Sequence, residues 1–179
     1  MRVVLGLAVW ALSLGMTYLV GDIAYSSDIN KYMDSTNLVG AYIIGSLVIA
    51  LVYSLWYILR KEQRIQDIVV PVAVLLGWGL ARRKLLYAGG KGMVYSIAYD
   101  LKKVYGIKTG LIDLDYVSVS AVTEFVLFIV AVSMFFATYM IYRCNSLMIA
   151  IGLAFLFMLA GATLSVPVSA PGVVLTVLS

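Results

Sequence analysis

The sequence predicts an all-α, polytopic membrane helix bundle, and three observations predict it. The chain is 63% hydrophobic and only 12% charged, whereas a soluble domain is about half apolar and about a quarter charged. Its apolar residues gather in runs of the order of 20, the length a helix needs to cross a hydrocarbon core of about 30 Å. Seven of its thirteen basic residues, Arg82, Arg83, Lys84, Lys91, Lys102, Lys103 and Lys108, stand together between two nearly uncharged blocks. Such a cluster decides which face of a bilayer each segment meets. A single integral membrane domain over residues 1–179 accounts for the length.

Four stretches read as firm transmembrane helices. The first covers residues 3–20, with Ala11 and Gly15 four apart on a stripe where another helix can approach closely. The connection after it carries Asp22, Asp28, Lys31 and Asp34 and is the least basic in the chain. The second span covers residues 38–59. Ser46, Ala50 and Ser54 form a ridge of small residues on it, a helix-packing face, and Trp56 and Tyr57 stand at its end, where amphipathic rings favour the headgroup level. Arg60, Lys61 and Arg64 follow, which marks this end as cytoplasmic.

The third hydrophobic segment, residues 68–81, is short. It holds Pro71, Gly77 and Gly79, and its fourteen or so residues rise roughly 21 Å as a helix, less than the hydrocarbon thickness. It reads as re-entrant, interfacial or a fifth span. If it spans with the N-terminus inside, eight Lys and Arg residues lie outside and five inside. If it turns back, eleven lie inside and two outside, which obeys the positive-inside bias. The re-entrant or interfacial reading is therefore favoured, with both termini cytoplasmic.

Residues 82–116 follow as a basic cytoplasmic segment. Ala88 to Gly92 reads as a flexible break, and Met93 to Tyr105 either as an amphipathic surface helix with Val94, Ile97, Leu101 and Val104 on the side facing the membrane or as a cytoplasmic loop helix packed against the bundle. Arg82, Arg83, Lys84, Lys102 and Lys103 are its candidate contacts for anionic lipid. Residues 118–142 and 146–166 form two further spans. The short link through Cys144 makes them an antiparallel hairpin, and Ala150 and Ala154 supply another close-packing stripe.

Composition excludes much chemistry. Histidine is absent and Cys144 is the only cysteine, so imidazole bases, zinc clusters and intramolecular disulfides are ruled out. Asp113 and Asp115 lack the further oxygen ligands a cation needs. No phosphate loop or dinucleotide fingerprint occurs, and neither cofactor nor metal is expected. Nucleic acid is not an expected partner; membrane lipids are, with other membrane subunits or further copies of the chain. Few Asn and Gln beside many Val, Ile, Tyr and Arg fit a heat-adapted organism such as an archaeon.

One acid, Glu124, lies inside a strongly apolar block. Within two turns of the start of its span, it reads first as an interfacial or structural group able to pair with a nearby base, and second as a candidate for an ion or proton path. Asp22, with Asp28 and Asn30 after it, resembles the first half of the type IV prepilin peptidase site, which implies two membrane-edge aspartates activating water. The chain departs from that pattern at Ala88 to Gly92, where Lys91 stands in place of the second acid. Tyr99-Asp100 is similar to the tyrosine-aspartate pair of presenilin-type proteases, without the Gly-x-Gly-Asp partner. Three functions follow in order of support: a non-catalytic subunit of a larger membrane complex of secretion, translocation or energy-converting type; a small transporter or channel component using Glu124; and an aspartate-type intramembrane hydrolase.

Overall fold

The structure, a computed structural model, describes residues 2–24, 35–59, 65–106, 118–143, 148–163 and 173–176. Among these residues there are six helices and no strand: α1 (Arg2–Ala24), α2 (Ser35–Leu59), α3 (Gln66–Ala81), α4 (Arg83–Tyr105), α5 (Val119–Arg143) and α6 (Met148–Thr163), followed by a helical turn at residues 173–176. Three are long and apolar enough to cross a membrane, through Leu7–Ala24, Gly40–Tyr57 and Val119–Arg143. The expected span at 146–166 corresponds to α6, whose apolar stretch is the shorter Ile151–Ala160. Arg60, Lys61, Arg64, Asp113, Asp115 and Cys144 lie outside the described residues.

α5 is the axis of the bundle and packs against each of the other five helices. Its buried positions include Ala121, Val122, Val126, Val130, Met134 and Ala137, small or β-branched in the main, which lets neighbours approach from several sides. In lipid, helices gain nothing from leaving an apolar solvent, so close packing and interhelical hydrogen bonds must hold them. Both are present. The Tyr53 hydroxyl on α2 donates to the Ala131 carbonyl of α5 at 2.9 Å, and Ser13 Oγ on α1 donates to the Ser46 carbonyl of α2 at 3.2 Å.

These contacts fix directions. Ser13 meets Ser46 and Tyr18 meets Tyr42, so α1 and α2 are antiparallel. Tyr53 lies against Phe135, and Tyr57 against Tyr139 and Tyr142, so α2 runs parallel to α5. Away from α1 and α5, α2 exposes Ile44, Leu47, Val48, Leu51, Val52 and Leu55, an apolar stripe that suits a lipid surrounding.

The third hydrophobic segment is one continuous helix that does not turn back. α3 lies antiparallel to α5 along its whole length, with Asp67 at one end beside Arg143 and Arg82 at the other beside Glu124. The axis then bends at Arg82, whose φ of −108° and ψ of 18° leave the helical region.

α4 departs from expectation in two ways. First, Ala88 to Gly92 is no break, since the helix runs straight through it. The glycines serve a close crossing instead. A Cβ on Gly89 would run into the Ala121 carbonyl and come within 2.7 Å of Phe125 Cβ. Second, after Leu86 the buried stripe is small or polar, comprising Gly89, Gly92, Ser96 and Asp100, while Val94 is 67% exposed. The surface-helix reading assumed that the apolar side must be the hidden one. Here tight backbone approach selects small residues for the inner face and turns Val94 outward. α4 ends at Gly106, whose φ of 65° is the left-handed cap glycine tolerates best and whose N–H bonds the Lys102 carbonyl.

Candidate functional site

The chemically distinctive region is the seam between α3 and α5, closed at each end by a charge pair. At one end Asp67, in the first turn of α3, is 0% exposed, and its Oδ2 lies 2.5 Å from Arg143 Nη2 at the last residue of α5. Aromatic rings enclose the pair. Tyr57 stacks on Tyr142 with centroids 5.6 Å apart, and the Arg143 guanidinium lies over the Tyr57 ring at 5.8 Å.

Pro71 completes this end. A proline inside a helix has no N–H for the carbonyl four residues back, and here that carbonyl belongs to Asp67. The Tyr57 hydroxyl approaches it at 3.4 Å and takes the missing donor's place. Asp67 is thus held twice, by its backbone oxygen to α2 and by its carboxylate to α5.

At the other end Trp78 Nε1 donates to Glu124 Oε1 at 3.2 Å, and Arg82 Nε lies 3.4 Å from the same oxygen. Trp78 also meets the Phe128 ring edge-on. Glu124 is 21% exposed by side chain and Arg82 57%, so this pair reaches the surface while the Asp67 pair does not. The Asp67–Arg143 pair agrees with the helix dipoles, its acid in the first turn of α3 and its base in the last turn of α5.

Lengths explain why both pairs use arginine. From Asp67 to Arg82 the rise is about 22 Å, and from Glu124 to Arg143 about 28 Å. The long guanidinium arms take up the difference at the two ends.

The other residues singled out by sequence fall in separate places. Ser46, Ala50 and Ser54 are all buried on α2; the side chains of Ala150 and Ala154 lie outside the described set. Arg82, Arg83 and Lys84 stand at one end of α4, and Lys102 and Lys103 at the other, about 27 Å away along the helix. They do not form one patch. Glu124 is the only candidate at the seam that sequence reasoning picked out for chemistry. Asp67 was passed over because it follows Arg64 and Gln66 in a polar stretch. The available signal was Pro71 four residues later.

Among the described residues no group of three or more acids and thiols is placed to hold a metal ion. No protein family, curated protein or solved structure matches the chain.

Proposed function

We propose that the chain is a non-catalytic, multi-pass membrane subunit of a larger membrane complex, with α5 as its spine. The observation that carries this reading is the use made of the charges at the α3–α5 seam. Asp67 is committed to Arg143, and Glu124 to Arg82 and Trp78. An ion or proton path needs a carboxylate open to exchange, whereas these hold helices together. Broad apolar faces on α2 and α6 remain for lipid or neighbouring subunits.

The same seam supports five crossings rather than four, with α3 spanning beside α5 and α6 returning after it. If residues 82–116 are cytoplasmic, eight Lys and Arg residues then lie inside and five outside, which satisfies the positive-inside bias with the N-terminal end outside. This is an alternative to the arrangement with both termini cytoplasmic, in which the third segment turns back or lies in the interface.

Two experiments test these readings. In proteoliposomes, the intact protein and its Glu124→Gln variant are expected to conduct protons no faster than empty vesicles. A flux abolished by Glu124→Gln would restore the transporter. Native mass measurement after mild extraction is expected to give a fixed ratio with a second membrane chain, and a free monomer would count against the subunit. For orientation, single cysteines at Ser26, Glu62 and Arg83 in a Cys144→Ser background are treated with an impermeant reagent. Ser26 and Arg83 are expected to label from one side and Glu62 from the other; opposite labelling of Ser26 and Arg83 would restore the re-entrant arrangement.

A further inference from the structure

We infer that the corner where α3 meets α4 is a docking site for an anionic phospholipid of the surrounding membrane, an inference that rests on the membrane reading above. Arg82, Arg83 and Lys84 follow directly on the apolar run of α3, at the level where a spanning helix meets headgroups. Arg83, Lys84 and Lys91 are exposed. Lys84, Tyr87 and Lys91 are spaced three and four residues apart, so they share one face of α4. The Lys91 ammonium lies 4.9 Å from the centre of the Tyr87 ring, and that ring is 68% exposed.

Among the described residues, Arg83, Lys84 and Lys91 make no ion pair. Glu124 already accepts from Trp78 and lies against Arg82. The one acid within α4, Asp100, is buried on the opposite stripe. Arg82 contacts Glu124 through Nε and is 57% exposed, which leaves its terminal nitrogens to a further acceptor. On the hydrocarbon side of the corner, Leu76 and Leu80 of α3 are 61% and 71% exposed, an apolar shelf for acyl chains.

The pieces match one ligand chemistry: a phosphodiester with net negative charge, held by guanidinium and ammonium donors, on two apolar tails. A choline headgroup adds a cation against this surface and is disfavoured. The pair Lys102 and Lys103, at the far end of α4, is not part of the site.

The test uses the full chain in an uncharged detergent, titrated with phosphatidylglycerol and with phosphatidylcholine, with bound lipid read by native mass spectrometry. Phosphatidylglycerol is expected to bind preferentially, and the triple variant R83Q/K84Q/K91Q to lose between about tenfold and a hundredfold in affinity. The pair K102Q/K103Q should stay within about twofold of the parent. Helicity by circular dichroism checks the fold. If the triple variant does not fold, R83K/K84R/K91R is expected to keep the preference, and added salt to weaken it in the parent chain. Equal binding of the two lipids, an unaffected triple variant, an equal loss in K102Q/K103Q, or displacement of the lipid by millimolar inorganic phosphate would each overturn the site. A chain monodisperse without detergent would instead defeat the membrane reading itself.

Discussion

Removing Arg143 tests the seam most directly. An Arg143→Met substitution keeps an unbranched apolar chain of similar reach and takes away the guanidinium. It takes from Asp67, 0% exposed, the cation that pairs with it among the described residues. Breaking a buried pair from one side costs about 3–5 kcal/mol. Arg143 is itself 20% exposed, so water screens part of the attraction and the lower end applies. The contact with the Tyr57 ring at 5.8 Å adds about 0.5–1 kcal/mol. The expected loss is therefore about 3–4 kcal/mol, more than a hundredfold in the folding equilibrium. Asp67→Asn is milder, because it leaves Arg143 stacked on Tyr57 and partly hydrated. The Asp67→Asn/Arg143→Met pair should be clearly more stable than the sum of its parts, since no carboxylate is then stranded. Unfolding by a denaturing detergent, followed by tryptophan fluorescence, measures all three variants, with Trp78 reporting on α3. Arg143→Met within about 0.5 kcal/mol of the parent, or strict additivity in the double variant, would refute the reasoning.

Two further outcomes follow from the packing. Gly89→Ala drives a methyl into the Ala121 carbonyl and is expected to cost about 1–3 kcal/mol, whereas Gly77→Ala, with nothing within 4 Å of the new Cβ, should gain about 0.5–1 kcal/mol from better helix propensity; the same detergent titration reads both. Tyr53→Phe keeps the ring against Phe135 and removes only the donor to the Ala131 carbonyl, so a loss of about 0.6–1 kcal/mol is expected in thermal unfolding, and no loss would mean that bond contributes nothing.

What could be read from the residues alone was whatever depends on local pattern. Runs of apolar residues set α1, α2 and α5 within a few positions of their bounds, because a helix in lipid must satisfy its own backbone and needs a fixed length to do so. Ser46, Ala50 and Ser54, four apart and so on one face of α2, are buried. Pairing across the chain was beyond reach. Nothing near Asp67 names Arg143 as its partner, and Pro71 looks like a breaker until Tyr57 arrives to satisfy the carbonyl it exposes. The glycines at 89 to 92 follow the same logic. Taken by themselves they weaken a helix, but opposite the Ala121 carbonyl and Phe125 only glycine is small enough to fit at position 89. Local sequence thus determined which segments are helices, and the tertiary structure decided which faces and charges those helices share, because close approach and ion pairing depend on residues far apart in the chain.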